Sequence, residues 1–171
     1  MKSCFFIGHR DAPDTVLAYL TVTLERLIVE DSVGYFYVGQ YGDFDRLAAL
    51  AVKRLKQHYP FIALIRVLPY HPADRPTLTP SGFDGTYYPE GMENVPKRYA
   101  IVRANTQMVK YCDWLIAYVC HPASNARNLL EYAQRREKKG LIHIENLAGG
   151  KYENRTENTT LDTMSHLQSK N

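Results

Sequence analysis

Hydrophobic residues follow two alternating rhythms along most of the chain. Short solid apolar runs stop at glycine or polar turns, and between them apolar residues recur at helical spacing. Ser3-Cys4-Phe5-Phe6-Ile7 is the first run, ended by Gly8-His9-Arg10. A run of that length before a glycine predicts a strand buried on both faces. Pro13 and a potential cap at Asp14 precede Val16, Leu17, Leu20, Leu24, Leu27 and Ile28, whose spacing predicts a helix down to Glu30. Tyr35 to Val38 predicts a second strand, stopped by Gly39-Gln40-Tyr41-Gly42. Asp43 is placed to cap a second helix whose Phe44, Leu47, Ala48, Ala51, Val52 and Leu55 share one face. Pro60 closes that helix, and Phe61 to Leu68 predicts a third strand.

Pro69 to Pro96 breaks the rhythm, with six prolines and no sustained period. A connection this long inside a domain marks either a binding loop or a surface excursion. Helical pattern returns from Lys97 to Tyr111, with Ile101, Ala104, Asn105, Met108 and Cys112 on one stripe. Trp114 to Val119 predicts the fourth strand, Cys120 to Ala126 a turn, and Arg127 to Lys139 a helix whose basic last turn suits the dipole. Gly140 ends that helix, and Leu141 to Ile144 predicts the fifth strand. The boundary reading is a domain over 1–148 and a polar tail over 149–171, with a weak helix near Leu161 to Leu167.

Strands alternating with helices specify an α/β fold: a Rossmann-like three-layer sandwich around a mainly parallel five-stranded sheet. Right-handed crossovers make 3-2-1-4-5 the simplest strand order, and the flavodoxin-like 2-1-3-4-5 uses the same elements.

Composition narrows the picture. At 171 residues the chain fits one domain plus a tail. No apolar run reaches the length of a spanning helix or forms a secretory signal, so membrane insertion and secretion are poor readings. Cys4, Cys112 and Cys120 lie in or beside apolar runs, which predicts buried thiols and a cytoplasmic location. The net charge of +3 tolerates a phosphate-bearing ligand but is too small to argue nucleic-acid binding.

Ligands of such sheets bind beyond the carboxyl ends of the strands, so candidate chemistry belongs to the loops that follow them. Gly8 and Gly39 either let strands turn or let backbone N–H groups approach a phosphate; the same holds for Gly42. Neither a P-loop nor a Gly-x-Gly-x-x-Gly fingerprint is present, which disfavours P-loop NTPase and ordinary NAD dehydrogenase chemistry. Arg10 is a natural anion anchor, unless it pairs with Asp11 or Asp14. Asp45 either complements a helix dipole or accepts from ribose hydroxyls or a base amine. Ser124 and Asn125 are placed to cap the fourth helix and to offer donors to a ligand. Arg127 and Glu131, four apart, form a solvent-exposed ion pair or act on a glycosidic bond. Asn105 interrupts an apolar stripe, so it brackets the core or contacts a ligand. His9, His71, Cys120 and His121 fit no zinc spacing, so neither metal nor cofactor is expected. Tyr87, Tyr88 and Glu90 either pack the excursion down or stack on and bond a base.

The segments Cys4-Phe-Phe-Ile-Gly-His-Arg10, Val38-Gly-Gln-Tyr-Gly-Asp-Phe-Asp45 and Ala100-Ile-Val-Arg-Ala-Asn105 resemble the YpsA-like branch of the SLOG superfamily. The resemblance covers roughly the first 145 residues. It implies a Rossmann-like domain, expected to be dimeric, that binds a nucleotide or nucleotide-derived small molecule, as a sensor or regulator. Gly8, His9, Arg10, Gly39, Gly42, Asp45, Asn105, His121, Ser124 and Asn125 would be its ligand-binding residues. Relatives in the wider group include the LOG phosphoribohydrolases, which release a base from a nucleoside monophosphate, and the DNA-processing protein DprA. The LOG enzymes carry Pro-Gly-Gly-x-Gly-Thr-x-x-Glu where this chain has His121-Pro-Ala-Ser-Asn-Ala-Arg127-Asn-Leu-Leu-Glu131. Glycine at those positions lets the backbone close on phosphate, so the resemblance carries ligand binding over better than catalysis. The alternative expectation, N-glycosidic cleavage, rests on Glu131 with Arg127 steering phosphate. A third, single-stranded nucleic-acid binding in the manner of DprA, sits poorly with the modest charge.

Overall fold

Every side chain from Ser3 to Ile7 is buried, and the strand alternates between two cores. Cys4 and Phe6 face one core while Phe5 and Ile7 face the other, as a central strand covered on both sides requires. The computed structural model describes residues 1–148. The polar tail at 149–171 and its weak helix lie outside the described residues.

The strands are β1 (Lys2–Gly8), β2 (Val33–Val38), β3 (Ala63–Val67), β4 (Gly85–Tyr87), β5 (Trp114–Tyr118) and β6 (His143–Asn146). They form one sheet in the order β4-β3-β2-β1-β5-β6, with every neighbouring pair parallel. The helices are α1 (Val16–Asp31), α2 (Asp43–Leu55), α3 (Ala100–Tyr111) and α4 (Asn125–Glu137). α1 and α2 bury Leu20, Leu24, Leu27, Phe44, Leu47 and Val52 against one face of the sheet. α3 and α4 bury Ala104, Met108, Leu130 and Ala133 against the other. The chain is therefore a Rossmann-like α/β sandwich. No helix among the described residues is long and apolar enough to cross a membrane.

The sheet has six strands where the pattern predicts five. The order 3-2-1-4-5 survives inside it, extended at one edge by β4 from the proline-rich excursion. Asp84 makes that possible: its Oδ2 accepts the Leu64 N–H at 2.7 Å, and its own N–H reaches the Leu64 carbonyl at 2.8 Å. Lys56 pairs with the same carboxylate.

Two expected caps are corrected. α1 begins after Thr15 without a side-chain cap, because the Asp14 carboxylate is drawn to Arg46 at 2.6 Å. α2 has Gly42, not Asp43, at its N-cap position, and Asp43 instead pairs with Arg46 one turn on. Ser124 does cap α4, accepting the Arg127 N–H at 3.1 Å. Gly140 closes that region with φ +68, a conformation that favours glycine. Of the cysteines, Cys4 and Cys112 are buried as expected but Cys120 is exposed, since it stands past the end of β5.

Candidate functional site

The connection order reverses at β1: β2, β3 and β4 lie to one side of it, β5 and β6 to the other. This is the switch point at which open parallel sheets gather ligands. Ile7 stands opposite Ala117 and Gly8 opposite Tyr118, so the turns after β1 and β5 leave the sheet on the same edge. The turn after β2 joins them, because the Asp43 N–H bonds the Arg10 carbonyl at 2.9 Å.

A cavity of about 180 Å³ opens at that edge. Eight residues singled out from the sequence line it: Gly8, His9, Arg10, Gly39, Gly42, Asp45, Asn105 and Asn125. They come from the ends of β1 and β2 and from α2, α3 and α4. His121, Ser124, Arg127 and Glu131 are not in its lining. Arg127 and Glu131 bond each other at 3.3 Å on the exposed side of α4, the surface ion pair that their spacing allows. Tyr41 also lines the cavity, with apolar residues that include Val67, Pro69, Ile101 and Leu129. Tyr41 sits between two selected glycines and was within reach of the sequence reading. The apolar positions gave no signal that separates a cavity wall from core.

The glycines have local causes. A Cβ on Gly8 would meet the Phe44 ring at 2.3 Å, one on Gly39 would meet Asp45 Oδ2 at 2.7 Å, and one on Gly42 would meet Arg10 Cα at 2.8 Å. Close protein packing at the floor thus accounts for all three, while each still contributes to the lining.

Arg10 is exposed, and its guanidinium has no ion-pair or hydrogen-bond partner among the described residues. Neither carboxylate expected to pair with it does so: Asp14 is bonded to Arg46, and Asp11 lies 3.9 Å from His121. Asp45 is the opposite case. Its Oδ2 accepts the Tyr41 N–H at 2.9 Å, and burial pushes its carboxyl from 3.8 up to about 6 despite that bond. A cavity carboxyl with so displaced an affinity for protons is a candidate for ligand contact or proton exchange.

His9 is largely buried and braces the turn after β5. Its backbone N–H extends the β1–β5 ladder to the Tyr118 carbonyl at 3.2 Å. Its Nε2 accepts the N–H groups of Cys120 at 2.9 Å and His121 at 3.1 Å. Asn146, which the sequence reading missed, holds the same turn from the other side, accepting the Val119 N–H at 3.1 Å and donating to its carbonyl at 3.0 Å. Ligand-type atoms of His9, Cys120 and His121 come within 4.8 Å of one another, a grouping that their spacing in the chain does not reveal. The His9 Nε2 lone pair is already spent on two amides, so a metal ion at that atom would have to break both bonds.

No protein-family model matches this chain, and no curated protein matches it significantly.

Proposed function

We propose that this chain is a SLOG-type domain that binds a nucleotide or nucleotide-derived small molecule in the strand-end cavity, as a sensor or regulatory protein. The observation that carries the reading is the position of Arg10: a guanidinium at the cavity with no carboxylate partner among the described residues. An unpaired guanidinium beside strand ends and helix starts is arranged to fork onto a phosphate. Asp45 and Asn105 then offer acceptor and amide groups to a sugar or base. A cytoplasmic location belongs to the same proposal.

The test is equilibrium binding of phosphorylated nucleosides to the full chain. Arg10→Ala is expected to weaken it by about 1–3 kcal/mol, the range for hydrogen bonds to charged groups. Unchanged affinity in a folded variant removes Arg10 from the site, and no binding by the unaltered chain ends the reading. Mass spectrometry of small molecules that copurify identifies the ligand. N-glycosidic hydrolysis by Glu131 has less support, because that residue is paired with Arg127 and stands outside the cavity lining. Release of free base from a nucleoside monophosphate would restore it.

A further inference from the structure

The strand-end cavity, at about 180 Å³, is smaller than the roughly 300–1,000 Å³ typical of whole-ligand sites. A nucleotide with its phosphate at Arg10 therefore has to extend past the rim. A second, more open cavity of about 510 Å³ adjoins it under the proline-rich excursion. Pro69 lines both, and Ala100 of the second is the chain neighbour of Ile101 in the first.

The walls of this second cavity suit a flat ring. Tyr70, His71 and Tyr88 contribute aromatic surface, and Met92 adds an apolar contact. The His71 and Tyr88 rings meet edge-on with centroids 5.2 Å apart, and the Arg75 guanidinium stacks 4.0 Å from the Tyr70 ring. These contacts hold aromatic groups in place before any ligand arrives. The charge is also telling. Asp74 and Glu93 both face the cavity against a single ammonium, that of Lys97. Both carboxylates act on the Tyr88 hydroxyl, whose proton is held more tightly through burial first, then Glu93 and Asp74. Carboxylates only accept hydrogen bonds, so they repel a second phosphate and welcome amino hydrogens.

We propose that this second cavity is the base-binding half of the same site, and that the ligand is a nucleotide whose base carries an exocyclic amino group. The inference rests on the phosphate reading of Arg10. Tyr88 supplies the stacking surface, and Asp74 and Glu93 accept from the amino edge.

The experiment is isothermal titration of the full chain with ribose 5-phosphate and with the 5′-monophosphates of adenosine, guanosine, cytidine, uridine and inosine. An amino-bearing nucleotide is expected to bind about ten-fold or more tightly than ribose 5-phosphate, in keeping with base–aromatic stacking. Tyr88→Leu should erase that advantage and leave ribose 5-phosphate binding unchanged, whereas Arg10→Ala should weaken both. Asp74→Asn, at an exposed position that does not endanger folding, should narrow the preference over the uridine and inosine nucleotides. If Tyr88→Leu and Asp74→Asn both bind like the unaltered chain while Arg10→Ala weakens every ligand, the inference falls and the function above stands. Tightest binding of uridine or inosine monophosphate overturns the amino-edge assignment. Binding of none of these probes overturns both readings.

Discussion

The Nε2 atom of His9 accepts the backbone N–H of Cys120 at 2.9 Å, tying the end of β1 to the turn after β5. The His121 N–H shares the same acceptor at 3.1 Å. Acceptance at Nε2 places the proton of the neutral ring on Nδ1. His9→Ala leaves two N–H groups without that partner and is expected to cost about 1–3 kcal/mol, read by urea unfolding. Burial, followed by His121, lowers the proton affinity of His9 in the folded chain from its ordinary value of 6.5. Its stabilisation is thus fully present above pH 6.5 and declines below that as the unfolded chain takes up its proton first. The stability gap between the unaltered chain and His9→Ala should narrow as the pH falls below 6.5. A gap that widens on acidification contradicts this assignment.

Asp45 has the opposite sign. Its folded carboxyl titrates at about 6 against an ordinary 3.8, so the folded chain holds this proton more tightly than the unfolded one. The associated stability is complete below pH 3.8 and lost as pH rises through about 6. Asp45→Asn keeps a side-chain oxygen for the Tyr41 N–H and removes the buried charge. It should raise stability at neutral pH by about 1–2 kcal/mol, with the gain shrinking toward acid. The same variant should bind nucleotides less well, separating the cost of the carboxylate from its use. Because His9 and Asp45 pull in opposite directions over adjoining pH ranges, paired denaturation curves of the variants resolve what the unaltered chain averages.

Gly42→Ala tests how tightly two loops are fitted. Its Cβ would stand 2.8 Å from the Arg10 Cα, a backbone atom that cannot swing aside. The expected cost is about 1–3 kcal/mol, with a displaced Arg10 and weaker phosphate binding. Gly85→Ala is the control, since nothing lies within 4 Å of where its Cβ would stand. Equal thermal stability of the two variants would show that the loops can separate freely.

Arg127→Ala and Glu131→Gln should each change stability by no more than about 0.5 kcal/mol, as exposed helical pairs do. Neither should alter nucleotide affinity measured by titration. A large loss of binding in either would bring α4's outer face into the site.

The sheet order was legible because each long strand is an apolar run with a breaker behind it, and parallel crossovers leave few arrangements. β4 was not, because Gly85-Thr86-Tyr87 has no apolar run and is held by Asp84 through contacts from a distant segment. At the site, Gly8 to Arg10 and Gly39 to Asp45 were readable from position alone, since they follow adjacent parallel strands. His121 and Ser124 follow a strand in the same way yet miss the cavity lining. One lies in a turn anchored through its backbone to His9, and the other spends its hydroxyl on its own helix. Sequence order names the turn but not the direction in which its side chains leave it. The engagement of Asp14 by Arg46, which leaves Arg10 unpaired, joins residues too far apart for local pattern to reveal.

β4 also guards against self-association. A bare β3 would present a longer row of backbone donors and acceptors to any passing strand, the usual seed of edge-to-edge aggregation. With β4 in place the sheet terminates in three residues followed by Tyr88 and Pro89, and proline has no N–H to template further growth. Excising the excursion would therefore strip the sheet of its terminator along with the second cavity, and a shortened chain would tend to precipitate before its affinity for anything could be measured.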